Sequence, residues 1–475
     1  MRELLQDIIA RATRGGAEFA DVRAGIGHST SVTAEDGRIH RCSSSASKGI
    51  GLRVLVGGAW GFAQADSHEP VVLRRCLEDA LALAQAAAGH VAEPATVAQV
   101  TPIEAVSRYP VRIDPSAVPL SERVSTIAAY EERVRKHHAS IVNSVVAYHD
   151  GSGVTELVNS FGTYVRWEAA QCSLYVMATA ANDQTRQMSL DGIARPAGWE
   201  VVADADMEAM AGGAAQRAVE LLDAVEPPAG MMPVIVDPGM TGLITHEAFG
   251  HNCEADLVWA GESIVAGKEG QMVAVPSVTV IDDPTWDWNN GSYEYDDEGV
   301  PARKRVLVQD GVLTEYLHSL ETAAHFGVEP NGAARAASRR VAPVPRMSNT
   351  FIAPGEAKLE DLVADVDKGV MVVGERGGYV DTARGHFSFS AESGYEIENG
   401  KLGRKLRNCT LTGYTLETLQ QVLGVSKEFD LINRGSCGKK GQGVRVSVGG
   451  PYLYIRELTV GGSRVVEDED EGEDE

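Results

Sequence analysis

The stretch Glu226-Pro227-Pro228-Ala229-Gly230 divides this 475-residue chain into two halves with different patterns of predicted elements. Two prolines followed closely by a glycine interrupt regular structure and are typical of a linker. A chain of this length also exceeds what one hydrophobic core usually holds, so two domains are expected. We therefore predict domains at residues 1–225 and 231–465, followed by an acidic, disordered tail at 466–475.

On the N-terminal side of the linker, helices and short strands alternate. Apolar residues at helical spacing predict a helix that ends at Gly15-Gly16, a second over 71–88, a third capped by Ser121 and a fourth near 207–222. Runs rich in β-branched or aromatic residues predict strands at 20–25, 31–35, 49–56, 60–65, 141–148, 154–158, 164–167 and 173–178. The pattern predicts an α/β domain in which helices flank an antiparallel sheet.

On the C-terminal side, strands separated by glycines dominate the pattern. One helix is predicted at residues 245–251 and another near 320–326. The connections 282–297 and 327–349 are too long for simple hairpins, and loops of that length are often functional or disordered. The predicted fold class is therefore α+β, with an N-terminal α/β domain and a C-terminal, mainly antiparallel β domain.

The charge and the cysteines of the chain limit its environment and its partners. The formal net charge is -24, whereas nucleic acids and anionic membranes attract clusters of Lys and Arg. The chain contains no apolar run of transmembrane length and no signal-peptide pattern. Its six scattered cysteines suit a reducing compartment. These features predict a cytoplasmic protein that binds neither nucleic acid nor membrane.

The segment Thr245-His246-Glu247-Ala248-Phe249-Gly250-His251 carries groups suited to metal-assisted catalysis. Neutral imidazoles bind zinc, and an adjacent carboxylate can take a proton from water. In the usual H-E-x-x-H spacing both histidines share one helix face, but here the second lies one residue further, roughly 140° around a regular helix. A π-bulge, or a distortion at Gly250, would return both rings to one face. Two unrelated histidines on a helix are the alternative.

A third zinc ligand is available in the segment Arg434-Gly435-Ser436-Cys437-Gly438-Lys439-Lys440-Gly441. Zinc is normally held by at least three protein ligands. A cysteine among glycines on a tight loop would be free to offer its sulfur, and nearby lysines favour the thiolate. The alternative is a cysteine with a structural or incidental place in the loop.

Together, these two segments resemble the TldD/PmbA family, specifically its TldD-like branch, which carries H-E-x-x-x-H and a late cysteine in a glycine-rich loop. Further matching segments lie at residues 57–62, 159–162, 297–301, 398–400 and 459–462. The resemblance implies zinc-dependent (Zn²⁺) hydrolysis of unfolded or short peptides, and it allows a role in the processing of peptide precursors. It implies His246, His251 and Cys437 as metal ligands, with Glu247 as the catalytic residue that activates a zinc-bound water.

The resemblance also implies a partner, because the family enzyme acts with a metal-free subunit that is similar to PmbA or TldE. We therefore expect a heterodimer with such a subunit, or a homodimer where no partner is encoded. Two other functions stay open: an amide hydrolase dedicated to one small molecule or modified peptide, and a non-catalytic binding subunit with a structural zinc. An open coordination position would distinguish a catalytic from a structural zinc.

Four residues outside the ligand set have candidate roles. Glu254 and Asp256 follow the histidine motif closely enough to orient a ligand imidazole, although a solvated helix face explains them equally well. Cys253 is expected to be an inert thiol. His386 is a candidate donor to the oxyanion that forms during amide hydrolysis, with a surface or core histidine as the alternative.

Overall fold

The computed structural model describes residues 1–286 and 288–462, so the predicted acidic tail at 466–475 lies outside the described residues. Two β-sheets organise this part of the chain. The first sheet contains β1 (Phe19–Glu35), β2 (Arg38–Val56), β3 (Ala59–Ala65), β4 (Glu104–Arg108), β5 (Ile141–Asn159), β6 (Tyr164–Ala181) and β7 (Arg186–Arg195). Its strand order is β3-β2-β1-β5-β6-β4, with β7 paired to β6.

The second sheet comprises eleven strands from the C-terminal half. They are β8 (Gly230–Val236), β9 (Val280–Asp282), β10 (Arg305–Gln309), β11 (Val312–Leu313), β14 (Asn349–Ile352), β15 (Lys368–Asp381), β16 (His386–Glu398), β17 (Lys401–Arg407), β18 (Cys409–Tyr414), β19 (Val422–Lys439) and β20 (Gln442–Gly462). The short strands β12 (Ala334–Arg335) and β13 (Val344–Pro345) pair separately. Among the described strands of the second sheet, β14 pairs in parallel with β20 and β15 in parallel with β8, and the other strand pairs are antiparallel.

Helices cover the sheets and connect their strands. They are α1 (Arg2–Arg14), α2 (Pro70–Ala87), α3 (Leu120–Arg135), α4 (Glu200–Ala203), α5 (Gly213–Glu220), α6 (Pro238–Leu243), α7 (Ala255–Trp259), α8 (Leu320–Phe326), α9 (Leu359–Ala364) and α10 (Thr415–Gln420). Segments Glu208–Gly212 and Ile244–Gly250 are π-helical, and Pro115–Ala117 and His251–Cys253 are 3₁₀-helical. No helix in the described part of the chain is both long and apolar enough to cross a bilayer.

The apolar faces of the helices pack on the first sheet in two groups. Leu5 and Ile8 of α1 and Leu73 of α2 contact one end of the sheet, whereas Ile127 of α3 and Ala218 of α5 contact the other. A separate core fills the second half around α6, the following π-helical turn and β20. The predicted α+β class, with an antiparallel sheet and flanking helices followed by mainly antiparallel strands, is confirmed.

Two details of the predicted elements are wrong. β1 and β5 each run without interruption where the glycines suggested breaks between short strands. These glycines mark close approach of the two strands, since a Cβ on Gly25 would lie 2.3 Å from the Val154 carbonyl oxygen. Ser121 does not cap α3, because the helix already begins at Leu120 and follows Pro119 without a side-chain cap.

Candidate metal centre

The helix that leads to the histidine motif is fixed at its start. Asp237 caps α6 by accepting a hydrogen bond from the Met240 N–H at 2.9 Å, and Pro238 occupies the first turn. Gly242 lies directly against β20, where an added Cβ would be 2.4 Å from the Gly449 nitrogen. The absence of a side chain at residue 242 therefore lets the helix approach the backbone of β20 closely.

The helix then changes from α to π geometry across the motif. The His251 N–H donates to the His246 carbonyl, five residues earlier, in place of an α-helical i→i+4 bond. Residues five apart thereby return to one face, and the His246 and His251 rings lie with centroids 5.3 Å apart. The distortion expected from the spacing is present, and it brings both imidazoles together.

Cys437 lies in a different environment from the one expected. It is a strand residue of β19, paired with Val444 of β20, and is only 2% exposed within the core of this half. The prediction of a tight loop is wrong because Gly435 and Gly438 on either side of it also pair with β20. Arg346 donates hydrogen bonds to the Cys437 carbonyl and to a neighbouring carbonyl of β20, which holds the hairpin in place.

The three expected ligand side chains converge in the structure. One donor atom from each of His246, His251 and Cys437 lies within 4.8 Å of the others, and the Cys437 Sγ is 3.3 Å from the His251 Nε2. Burial tends to raise the pKa of the Cys437 thiol, but the His246 and His251 imidazoles outweigh burial and lower this pKa to about 5. The sulfur is thus poised to be a thiolate, the form that binds metals.

The donor set fits a zinc ion. Both ring nitrogens of His246 are buried and have no hydrogen-bond partner among the described residues, although buried polar atoms are nearly always paired. Tetrahedral zinc with Zn–N of about 2.0 Å and Zn–S of about 2.3 Å needs donor atoms roughly 3.5 Å apart, and the Cys437 Sγ and the His251 Nε2 are 3.3 Å apart. Across the described residues the cluster supplies three ligands, the number typical of catalytic zinc sites.

Two glutamates border the trio in contrasting settings. The Glu247 side chain is 31% exposed, and its Oε2 lies 3.5 Å from the His251 Nε2. Glu254 is fully buried. It accepts a hydrogen bond from the His251 Nδ1 at 2.8 Å and lies 3.0 Å from the Lys439 Nζ. Burial tends to raise the pKa of Glu254, but His251 and Lys439 lower it to about 2. Glu254 therefore fixes His251 so that its Nε2 faces Cys437.

The remaining candidates have other surroundings. Asp256 contacts Lys439 at 2.6 Å and Lys440 at 2.8 Å, and neither contact involves an imidazole. Burial raises the pKa of the Cys253 thiol well above its usual value, which keeps it protonated. The His386 ring packs against Tyr414 with centroids 5.4 Å apart, and within the described residues no hydrogen bond or ion pair joins it to the ligand trio.

Arg346 and Lys439 support the centre through contacts with Glu254 that the sequence pattern does not indicate. Arg346 is buried beneath the Cys437 hairpin and lies 3.7 Å from Glu254, while Lys439 connects Glu254 to Asp256. Both act across large separations in sequence, and neither belongs to a motif with defined spacing. In the sequence, Lys439 is marked only as a charge near Cys437, and nothing distinguishes Arg346.

Comparison with known proteins gives a consistent result. Three family models match successive parts of the chain: PmbA/TldA metallopeptidase domain 1 at residues 20–87, the central domain at 113–222 and the C-terminal domain at 229–462. The chain is 37% identical over 450 residues to a protein of Methanothermobacter thermautotrophicus named metalloprotease, covering 94% of this chain and 96% of that one.

Two further proteins extend the comparison. A zinc metalloprotease TldD homolog of Saccharolobus solfataricus is 28% identical, covering 96% of this chain and 99% of that one. The crystal structure of TldE from Thermococcus kodakarensis superposes with a TM-score of 0.76 at 19% identity, covering 97% of this chain and 100% of that one, and therefore shares the fold. The resemblance drawn from the sequence is confirmed, and the chain belongs to the PmbA/TldD family of metallopeptidases.

Proposed function

We propose that this protein is a zinc-dependent peptidase that hydrolyses amide bonds of unfolded or short peptides. The observation that carries the proposal is the convergence of His246, His251 and Cys437 beside the partly exposed carboxylate of Glu247. Zinc is the metal that suits two imidazoles and a thiolate. The name of the Saccharolobus solfataricus relative, a zinc metalloprotease, agrees with this choice of metal.

The protein groups have separate tasks in this proposal. His246, His251 and Cys437 would hold zinc, which supplies Lewis-acid activation of water and of a carbonyl group. Glu247 would take a proton from the attacking water, because its carboxylate lies beside the ligands and reaches solvent. The same carboxyl group would then deliver the proton to the leaving amine. Glu254 would keep the His251 Nδ1 engaged, so that the Nε2 stays available for the metal.

The two rival functions receive less support from this arrangement. A structural zinc is usually enclosed by four protein ligands, whereas the described residues bring three together next to the partly exposed acid Glu247. An amide hydrolase for one small molecule would use the same groups, so substrate range is what distinguishes it. A panel of unstructured peptides with unrelated sequences should be cleaved at comparable rates if the broad peptidase function is right.

The proposal extends to the assembly and location of the protein. We propose that it pairs with a PmbA-like or TldE-like subunit, or with a second copy of itself, and the shared fold with TldE supports a partner of similar shape. A cytoplasmic location fits the six unpaired cysteine thiols. We also propose a division at residues 1–225, 231–465 and 466–475, supported by the change of sheet between β7 and β8.

Replacing Glu247 by Gln tests the catalytic proposal. The variant should retain about one zinc per chain, since no ligand is lost, but lose peptide hydrolysis by at least ~100-fold, the low end for general acid–base catalysis. Zinc content would be measured by atomic emission and turnover with quenched fluorescent peptides. Glu262→Gln is the matched control, because Glu262 is an exposed acid that follows α7. Near-normal turnover of Glu247→Gln would eliminate Glu247 as the base.

A further inference from the structure

A cavity of about 400 Å³ adjoins the hairpin that carries Cys437. One wall comes from the first sheet and includes Trp167, and a second comes from β12 and the residues that follow it and includes Arg335. Further walls come from residues 293–297 and from β20 at Val444 and Arg445. Because Val444 pairs with Cys437 across the hairpin, the cavity lies next to the strand that bears the candidate metal ligand.

The acids that line this cavity already have partners within the protein. The two Asp296 carboxylate oxygens accept hydrogen bonds from the backbone N–H groups of Glu298, Val300 and Ala334. Asp297 accepts a hydrogen bond from the Ala336 N–H at 2.8 Å and lies 3.6 Å from the Arg23 guanidinium. Within the described residues, neither carboxylate forms an ion pair with an arginine of the other walls.

Of the three arginines that line the cavity, Arg339 donates to the Ser47 hydroxyl at 3.0 Å, and the other two, Arg335 and Arg445, also contact neutral groups. Arg335 is 6% exposed, and within the described residues its one hydrogen bond is to the Met347 carbonyl at 2.6 Å. The guanidinium also lies over the Tyr293 ring, 5.1 Å from its centroid. Arg445 donates to the Asn290 carbonyl at 2.8 Å and to a tyrosine hydroxyl at 3.3 Å. Neither arginine forms an ion pair within the part of the chain that the structure describes.

A buried charge without a directly paired counter-charge is costly, so an arrangement of this kind favours an anionic ligand. Burial lowers the pKa of Arg335, and this effect outweighs the opposing influence of Tyr293 and Asp297. A guanidinium pairs with a planar carboxylate through two parallel hydrogen bonds, which gives both affinity and orientation. The cavity also has the size of a small-ligand site, and Tyr109, Tyr293 and Trp167 offer apolar surface beside the charges.

We infer that the cavity binds the free carboxylate at the C-terminus of the substrate peptide. The inference rests on the proposed peptidase function, because it names the part of the substrate that this protein would recognise. A carboxylate held by Arg335 and Arg445 would leave the preceding residues of the peptide next to the Cys437 hairpin. An Asp or Glu side chain carries the same chemistry, but walls from several separate parts of the chain suit a chain end better than an internal segment.

Binding of three labelled hexapeptides tests the inference. All have the same uncharged residues and an N-terminal fluorophore: one has a free C-terminal carboxylate, one a C-terminal amide, and one a C-terminal amide with an internal Glu. The full-length, zinc-loaded Glu247→Gln variant would be titrated by fluorescence anisotropy, so that no turnover is needed. We expect the free acid to bind at least about tenfold more tightly than either amide, the effect of one charge-assisted pair.

Variants of the cavity complete the test. Arg335→Gln and Arg445→Gln should each reduce the preference for the free acid to about threefold or less. Arg340→Gln is the matched control, because Arg340 pairs with Asp66 and the Lys48 carbonyl and does not line the cavity. If Arg335→Gln fails to fold, Arg445→Gln decides the result.

Several results would overturn the inference. Equal affinity for the free acid and the amide, or a preference that survives in folded Arg335→Gln and Arg445→Gln variants, would exclude the cavity as a carboxylate site. Tight binding of the amide with internal Glu would exclude the C-terminus as the recognised group. A protein that prefers the free acid yet cleaves no peptide with Glu247 intact would refute the proposed function and leave the cavity site supported.

Discussion

Replacing Glu254 by Gln should weaken zinc binding about 10- to 100-fold, the usual effect of losing a group that orients a metal ligand. The carboxylate is fully buried and accepts the His251 Nδ1–H at 2.8 Å. Glutamine keeps the shape and one acceptor oxygen but removes the negative charge that strengthens this hydrogen bond. The expected loss corresponds to about 1.4 to 2.7 kcal/mol of zinc-binding free energy.

The same substitution should have a smaller effect on the fold. Lys439 keeps its contact with Asp256 at 2.6 Å and its hydrogen bond to the Pro345 carbonyl, and Arg346 keeps its hydrogen bond to the Cys437 carbonyl. Because both cations retain these partners, the free energy of unfolding of the metal-free protein should fall by about 2 kcal/mol. This loss is smaller than the ~3–5 kcal/mol expected when a buried ion pair is broken and one charge has no partner. Urea denaturation of the metal-free protein would measure this change.

Asp256→Asn provides the matched control. Asp256 contacts Lys439 as Glu254 does, but it contacts Lys440 in place of His251. Its variant should bind zinc within about threefold of wild type, since the imidazole keeps its partner. Zinc affinity would be measured by competition with a chromophoric chelator. Unchanged affinity in Glu254→Gln, or equal weakening in both variants, would refute the argument that Glu254 orients His251.

Two predictions concern the helix that bears the motif. Gly242→Ala should lower the free energy of unfolding by about 2 kcal/mol, because the added Cβ would meet the Gly449 backbone at 2.4 Å. Gly213→Ala in α5 is the control and should raise the free energy of unfolding by about 0.5–1 kcal/mol, because the nearest atom to its added Cβ is 3.4 Å away. Equal denaturation midpoints for the two variants would contradict the close-packing argument. Burial raises the pKa of the Asp237 cap from 3.8 to about 7, so its protonation stabilises the fold below about pH 4 and that stability is lost as the pH rises through 7. Between about pH 4 and 8 the wild-type free energy of unfolding should therefore fall by up to about 4 kcal/mol more than that of Asp237→Asn, and parallel pH profiles in urea denaturation would refute this.

Local spacing indicated the unusual helix. His251 follows His246 by five residues, and this spacing fits a metal site only if the helix departs from α geometry; the structure contains a π-helical turn, one of the two distortions expected. The helix predicted at 71–88 agrees with α2 to within one residue at each end, because Pro70 marks its first turn and one face carries regularly spaced apolar residues. Information of this kind lies within a few neighbouring residues.

Features that depend on contacts between distant segments could not be predicted in the same way. Glycines beside Cys437 indicated a loop, but they pair within a hairpin, since glycine marks close approach of strands as well as turns. Arg346 and Lys439 take their roles only once the strands bring them to Glu254. The cavity at Arg335 has walls from several separate parts of the chain, so no single sequence window contains it.

The strand β20 explains how ligands 186 residues apart in sequence come within 3.3 Å of each other. Its residue Val444 pairs with Cys437, and its residue Gly449 lies against Gly242 on the helix that leads to His246. A single strand therefore sets both the position of the sulfur and the distance of approach of the helix. Because strand and helix are each packed in the same core, a shift of either by one ångström would move a donor atom by a comparable distance. Zinc tolerates only a few tenths of an ångström in its ligand distances, so packing at Gly242 and pairing at Val444 should control metal affinity as directly as the ligands themselves.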